Sequence, residues 1–515
     1  MEKHAVCIPF PAQGHIRPML NLAQILHSRF DFHITFVNAQ HIQNTLFQSQ
    51  PPSTNSSTNT NTTFIFESIP EGVDDPENLL SVIDSILTHR RMELPLRELL
   101  SELCSKDDPL NPPRGPMHRL PRPPVTCMIT DVVMTMFALD VADNMGIPAV
   151  VLETASACGS ICYLHLRELF EKGIIPLPEA NCLTNGYLET EIDLISSLRG
   201  LRLKDMPTQL RTTDPDDMML NAAISCTLNA IKSKAILINT FDSLDQDVLE
   251  ELKTIISPNI CSIGPLHLLA KDIDPTSDDT NLAIGSIFSS KNEDNECIIK
   301  WLDLQEPSSV LYVSFGTIAV INQEQLVEFA WGLANSQHKF LWVVRSDLVR
   351  GGEASSINVP IEFEKEIKGR SLLVSWCDQE RVLAHPSVGG FLTHCGWNST
   401  IESISSGKPM ICCPFIAEQV TNSWYICNVL GIGMKMSEDL KRGEVERVVK
   451  ELMEGMKGKE MKKKAMELRN LAIEATMSPY GSSFVNLENL VNDVYNTAHT
   501  RKYVKFSTCM PETSK

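Results

Sequence analysis

The sequence predicts an α/β protein of two doubly wound parallel sheets in tandem. Three observations carry that reading. Short apolar runs alternate with stretches of helical spacing from the first residues onward, and the alternation starts afresh after Ser309. Strands that alternate with helices imply a parallel sheet wrapped by helices. The chain has 515 residues, whereas single cores stop growing near ~250–300. Between the two series, Ile263 to Lys300 is rich in Asp, Ser, Thr and Asn and reads as an exposed linker.

Taken in order, His4 to Phe10 reads as a first strand and Pro11 to His15 as the loop after it. Ile16 to Phe30 has helical spacing, and Phe32 to Val37 is the next strand. Val125 to Thr130, a helix from about Val133 to Met145, and Pro148 to Leu152 repeat the unit. The second series opens with VLYVSF, a helix near Glu324 to Asn335, and KFLWVVR. Ser371 to Ser375 and Val388 to His394 are further apolar strands. Cys395-Gly396 then turns the chain, and Trp397 to Ser406 has helix character. Gly443 to Ala475 is charged and periodic, and its lysine-rich part, Lys457 to Arg469, reads as a solvated face. Pro51 to Thr63 and Ser105 to Pro124 are polar or Pro-rich loops, and after Thr497 no pattern remains, so disorder is expected there. The expected division is 1–262, a linker 263–300, 301–478, and a terminal helix with its tail over 479–515. That helix is expected to pack back on the first unit.

The formal charge of −19 argues against a nucleic-acid partner, which would want a basic face. The 15 cysteines are scattered through apolar runs, as at Cys7, Cys127, Cys412 and Cys413, without a CxxC pair. That is the pattern of reduced, buried thiols and of a cytoplasmic protein, not of a disulfide framework or a zinc site. MEKHAVCIPFPAQGH lacks the long apolar core of a signal peptide, and no run of ~18 apolar residues suggests a membrane span. Sequons stand at Asn55, Asn61 and Asn398, unmodified in a cytosolic chain. A monomer is expected.

The chemistry concentrates between Trp376 and Gln419, WCDQERVLAHPSVGGFLTHCGWNSTIESISSGKPMICCPFIAEQ. A strand, a Gly turn and a helix start form an anion site, because the first N–H groups of a helix have no internal partner. Asn398 and Ser399 present those groups to a diphosphate, and His394 at the strand end can donate to a phosphate oxygen. Trp376 follows a strand and offers a flat face to a uracil. Gln379 supplies a donor and an acceptor for a base edge. Glu402, one helical turn after Asn398, is placed to accept from two ribose hydroxyls. Glu418 and Gln419 follow an apolar run and would meet the hydroxyls of a sugar.

These 44 positions match, without a gap, the nucleotide-sugar signature box of plant small-molecule glycosyltransferases. The whole chain, from PFPAQGHIRPMLNLA through RTTDPDDMMLN and VEFAWGLANS to ELMEGMKGKEM, resembles the family 1 inverting UDP-sugar glycosyltransferases. It resembles most the branch holding cyanohydrin, monoterpenol and iridoid-aglycone (7-deoxyloganetin-type) glucosyltransferases. The resemblance implies the GT-B fold, two Rossmann-like domains with a cleft between them, the acceptor on the first and UDP-sugar on the second. It implies His15 as catalytic base and Asp131 as the residue that orients it. Thr317 would meet the phosphates, Thr154 the donor sugar, and Trp397 would belong to the donor site with the rest of GWNS. Gln419 favours UDP-glucose, since galactose-using relatives tend to carry histidine there. Imidazole suits proton removal from an alcohol near neutral pH, and no metal is implied. Transfer with inversion would give a β-glucoside of a small terpenoid, iridoid or cyanohydrin-type alcohol.

Three positions depart from the branch pattern: Asp378 for proline, Cys413 for tryptophan, and Glu153 where an aromatic precedes Thr154; Glu418 stands where many family members have aspartate, though this branch often has glutamate. Glu153 is expected at the lip of the acceptor pocket. Plainer readings compete. His15 alone would be a loop histidine, Asp131 a helix cap, Trp376 a core residue and His394 a structural histidine. A non-catalytic binding protein that keeps the fold would be favoured by loss of His15 or Asp131, and both are present. A dehydrogenase would need GxGxxG after the first strand, where this chain has PAQGH.

Overall fold

The computed structural model describes residues 2–48, 63–75, 79–104, 122–256, 259–271, 273, 292–345, 347–349, 359–437 and 439–507. The loops expected over 51–63 and 105–124 lie almost wholly outside these residues, as do Asn55, Asn61 and 508–515. The two series fold into two parallel sheets. The first has seven strands, β1 (Lys3–Ile8), β2 (Phe32–Ala39), β3 (Phe64–Ile69), β4 (Cys127–Asp131), β5 (Ala149–Glu153), β6 (Ala235–Ile238) and β7 (Asn259–Ser262), in the order β3-β2-β1-β4-β5-β6-β7. The second has six, β8 (Val310–Ser314), β9 (Lys339–Val343), β10 (Leu372–Val374), β11 (Val388–Thr393), β12 (Met410–Cys412) and β13 (Gly433–Lys435), in the order β10-β9-β8-β11-β12-β13.

Helices cover both faces of each sheet, so the central strands are buried throughout: β4, β6, β8 and β11 have no exposed position. The helices that frame the cleft are α1 (Gln13–Phe30), α2 (Ala157–Glu171), α3 (Met218–Ala230), α4 (Gln379–Ala384), α5 (Trp397–Ser405) and α6 (Gln419–Asn428). In each sheet the strand order reverses beside the first strand, between β1 and β4 and between β8 and β11. Connections from neighbouring strands leave in opposite directions there and open a crevice beyond the strand ends.

Four boundaries differ from the sequence reading. The loop after β1 is shorter, because the N–H of His15 already bonds Ala12 O at 2.9 Å and α1 begins at Gln13. The helix expected from Val133 to Met145 breaks into a 3-10 turn, Val133–Met136, and a helix, Ala138–Asn144. The expected linker does not start at Ile263. Leu266–Ala270 forms a short helix whose Leu266 and Leu269 sink into the first core, and another helix starts at Asn292. The last helix, Ser482–Ser507, continues past Thr497. It packs Leu487, Leu490 and Val491 against the first core, with Phe484 stacked on Phe30 at 5.9 Å. Among the described residues no helix is long and apolar enough to cross a membrane, and no disulfide joins the described cysteines.

Candidate active site

The first half of the site is assembled by strand register. Ile8 pairs with Thr130, so Asp131 stands just beyond the end of β1. Asp131 pairs with Leu152, so Glu153 and Thr154 follow beside it. His15, on the first turn of α1, reaches across these ends. Its Nδ1 lies 2.8 Å from Asp131 Oδ2 and 2.9 Å from Thr154 Oγ1, and Phe10 packs edge-on at 5.0 Å. A carboxylate at Nδ1 holds the hydrogen on that nitrogen and leaves Nε2 as the basic one. Asp131 is fully buried, and its Oδ1 also accepts the N–H of Val133 at 2.9 Å, so it caps the following turn as well as orienting the ring.

Burial opposes the charged imidazole, but Asp131, then Glu418 and Glu153, favour it, and the pKa of His15 is raised. About a quarter of the side chain, 27 %, remains exposed. Its desolvation is therefore less than that of a core histidine, and the carboxylates prevail.

Two residues of this half take partners that spacing did not show. The Thr154 hydroxyl meets His15 Nδ1, because β5 runs beside β4 and brings it within reach of the same nitrogen as Asp131. Glu153 is the last residue of β5, 9 % exposed, and its Oε1 accepts the N–H of Ala155.

The second half is built on one strand–turn–helix. β11 ends at Thr393, Cys395 turns the chain with φ +64°, and Gly396 precedes α5. The first helical bond runs from the N–H of Thr400 to Gly396 O at 3.0 Å, leaving the N–H groups of Trp397, Asn398 and Ser399 ahead of it. His394 is wedged between Gly316 and Gly396. A Cβ on either glycine would stand 2.5 or 2.4 Å from the imidazole, and Gly316 also holds φ at +69°. Burial, aided by the nearby Arg345 charge, pushes the pKa of His394 down to about 4. The ring is therefore neutral at pH 7, and its buried Nδ1 has no partner among the described residues. Thr317 is exposed on the loop after β8, where the Arg345 guanidinium pins the carbonyls of Thr317 and Ala319.

Side chains inside this stretch are more committed to each other than spacing suggested. The amide of Gln379 donates to Ser399 Oγ at 2.9 Å and Glu402 Oε2 at 2.7 Å, and its oxygen accepts from Tyr312 OH at 3.0 Å. Gln379 thus holds Glu402 and Ser399 through its amide. Glu402 is buried, and burial with Glu380 and Asp378 raises its pKa to about 7 against the pull of Arg17. Trp376 is half-buried just past β10. The Trp397 indole is 3 % exposed and donates Nε1–H to Asn239 O at 2.9 Å, while its backbone opens α5. Asp378, in place of proline, caps α4 by accepting the N–H of Arg381. Cys413 is buried in the second core.

Asn398 spans the crevice. Its Nδ2 donates to Gly14 O at 2.6 Å, next to His15. Pro18 explains why that carbonyl is available: it has no N–H to return to the residue four places earlier. Arg17 is a residue the sequence reading passed over. It pairs with Glu380 Oε1 at 2.6 Å and stands near Glu402, tying α1 to α4. Its signal was only its place two residues after His15. Glu418 sits at the start of α6 against Gly159, where a Cβ would come within 3.0 Å of its Cγ, and Tyr163 OH donates to it at 3.4 Å. Burial raises the Glu418 pKa, against His15 and Tyr163. Gln419 Oε1 accepts the N–H groups of Phe415 and Ile416 at 2.9 and 3.1 Å, fixing the loop before α6. The arrangement sets an oriented imidazole near a helix start with unbonded N–H groups, with Glu418 near that imidazole. Among the described residues no group of three or more His, Cys, Asp or Glu stands where it could hold a metal ion.

Residues 127–491 match the family model described as UDP-glucoronosyl and UDP-glucosyl transferase. The chain is 48% identical over 495 residues to a 7-deoxyloganetin glucosyltransferase of Gardenia jasminoides, covering 95% of this chain and 97% of that one. It is 46% identical over 498 residues to an (R)-mandelonitrile beta-glucosyltransferase of Prunus dulcis, covering 96% and 97%. Among solved structures, Phytolacca americana UGT2 complexed with UDP-2fluoro-glucose and pterostilbene superposes with a TM-score of 0.73 at 28% identity, over 96% of this chain and 99% of that one. A Polygonum tinctorium UDP-glucosyltransferase capable of glucosylating indoxyl, in complex with 3,4-dichloroaniline, gives a TM-score of 0.74 at 27% identity, with the same shares covered.

Proposed function

The chain belongs to the UDP-glucoronosyl and UDP-glucosyl transferase family, and from that premise we propose an inverting transfer of glucose from UDP-glucose to a hydroxyl of a small plant metabolite. It is an enzyme, a glucosyltransferase with the GT-B fold. Terpenoid, iridoid and cyanohydrin-type alcohols are the acceptor class, as the relatives' names support. The 1–262 part takes mainly the acceptor and the 301–478 part the UDP-sugar. The described cysteines, none of them in a disulfide, agree with a reducing compartment such as the cytoplasm.

One observation carries the mechanism: His15 is held at Nδ1 by Asp131 at 2.8 Å, which leaves Nε2 to the crevice. Nε2 takes the proton of the acceptor hydroxyl as its oxygen attacks the anomeric carbon. Asp131 stabilises the imidazolium that forms. Attack from the face opposite the leaving group turns an α-linked donor into a β-glucoside. The charge growing on the departing diphosphate meets the N–H groups at the start of α5 and the neutral His394, which supply the stabilisation without a metal ion. Glu402 accepts from the ribose hydroxyls, and Trp376 stacks on the base.

Incubation with UDP-glucose and a panel of terpenoid, iridoid, cyanohydrin and phenolic alcohols tests the reading. Release of UDP together with a β-configured product, assigned by NMR, is expected. An α-configured product, or UDP-glucose binding without transfer to any alcohol, would overturn it.

A further inference from the structure

Glu153 stands one residue past Leu152, the register partner of Asp131, and one residue before Thr154, which bonds His15. A carboxyl group is therefore built into the wall beside the base, on a strand hydrogen-bonded to its neighbours. Its Oε1 accepts the N–H of Ala155 at 3.0 Å. Its Oε2 bonds no described residue and is not among the unpartnered side-chain atoms sealed from solvent, so solvent still reaches it.

An anion is costly at such a place unless it is paired. Asp131 from β4 and Glu418 from the start of α6 disfavour it further. Tyr163 of α2 and Cys226 of α3 are the other titratable groups in its field, and both are held neutral. His15 is the one neighbour that favours the anion by charge. Burial, then Asp131 and Glu418, outweigh the Ala155 N–H and His15 and raise the pKa of Glu153 to about 7. Near neutral pH much of the protein therefore carries an uncharged carboxyl whose second oxygen is a hydrogen-bond donor.

Resting on the glucosyl-transfer reading, we propose that Glu153 determines acceptor specificity by donating a hydrogen bond to a carbonyl, ester or ether oxygen beside the reacting hydroxyl. A hydrocarbon alcohol of the same size leaves that donor unmatched. A site built to hydrogen-bond its substrate discriminates strongly against an analogue that lacks the partner. An acceptor that is itself a carboxylate is repelled by Asp131, Glu418 and ionised Glu153 together.

The pH dependence follows with a definite sign. The base works when His15 is unprotonated, so kcat/KM rises with pH through its raised pKa. The donor works when Glu153 is protonated, so for oxygen-bearing acceptors kcat/KM falls again as pH climbs past about 7. A plain alcohol shows the rise without that fall.

The test uses the full chain, UDP-glucose and two alcohols of matched size, one with a carbonyl next to the carbinol carbon and one with a methylene there. Wild type is expected to favour the carbonyl alcohol by ~10-fold in kcat/KM, the order for one unmatched buried donor, and only that alcohol shows the alkaline fall. Glu153→Leu is expected to bring the ratio close to one. Glu153→Gln keeps an uncharged donor, so the preference persists while the alkaline fall disappears. A wild-type ratio near one, an unchanged ratio in Glu153→Leu, or an alkaline fall that survives in Glu153→Gln each overturns the proposal. The glutamine variant, close in shape, decides the matter if the leucine variant does not fold. If wild type binds UDP-glucose and glucosylates neither alcohol nor any other, the transfer reading has failed instead, and the role of Glu153 falls with it.

Discussion

The two halves of the site reach comparable order by opposite routes. On the donor side, His394, Asn398, Ser399, Glu402, Glu418 and Gln419 come from 26 consecutive residues, around one strand–turn–helix. On the base side, Asp131 ends β4, Thr154 follows β5 and His15 lies on the first turn of α1, and the three meet at one imidazole nitrogen. The donor side is local in sequence and depends on the helix start, whose exposed N–H groups exist wherever a helix begins. The base side exists only when β1, β4 and β5 pair in one register, because a one-residue slip turns every side chain to the other face. Substitutions on the base side should therefore strike turnover, and those on the donor side affinity.

The largest effect is expected from His15→Ala, a loss of kcat by ~10²–10⁴-fold with UDP affinity retained. Rapid quench of UDP-glucose turnover with parallel calorimetry of UDP checks it. A rate within a few-fold of wild type would remove the base from His15. Asp131→Asn should come next, because the ring loses its orienting carboxylate. Turnover should fall by ~10²-fold or more, and the acid limb of the pH profile should move down, since Asp131 is the largest influence raising the His15 pKa. A lower rate with an unmoved limb would reduce Asp131 to the cap it also forms with Val133.

On the donor side, Glu402→Ala should weaken UDP binding about tenfold, corresponding to charge-assisted bonds of ~1.5–3 kcal/mol, with kcat at saturating donor changed far less. An unchanged dissociation constant by calorimetry would separate Glu402 from the ribose. The smallest functional effect is expected from Trp397→Phe. That change removes the bond to Asn239 O and should lower stability by ~1 kcal/mol while UDP affinity stays within about twofold. A large loss of UDP affinity without a change in melting temperature would return the indole to the donor site.

Asn398 blurs the division, since its amide is bound to Gly14 beside the base. Arg17 and Glu380 repeat the link one turn further along α1. Both links act on α1, so their importance lies in where they hold it. The sequence reading recognised Pro18 only as part of a helical stretch; its missing N–H is what opens Gly14 O to a partner from the other half.

What the sequence by itself determined is the part set by short-range pattern. The alternation of apolar runs and helical spacing specifies two parallel sheets, and the contiguous stretch from Trp376 to Gln419 specifies a strand, a turn and a helix start. Both follow from periodicity and backbone geometry over a few residues, which neighbours along the chain decide. What only the tertiary structure decided is which partner each polar side chain takes. Thr154 turns to His15, Gln379 to Glu402, Trp397 to Asn239 and Asn398 to Gly14. A side chain reaches only a few ångströms, and several acceptors compete for each donor. The winner is set by sheet register and by the closeness of the two halves, which join residues as far apart as 14 and 398.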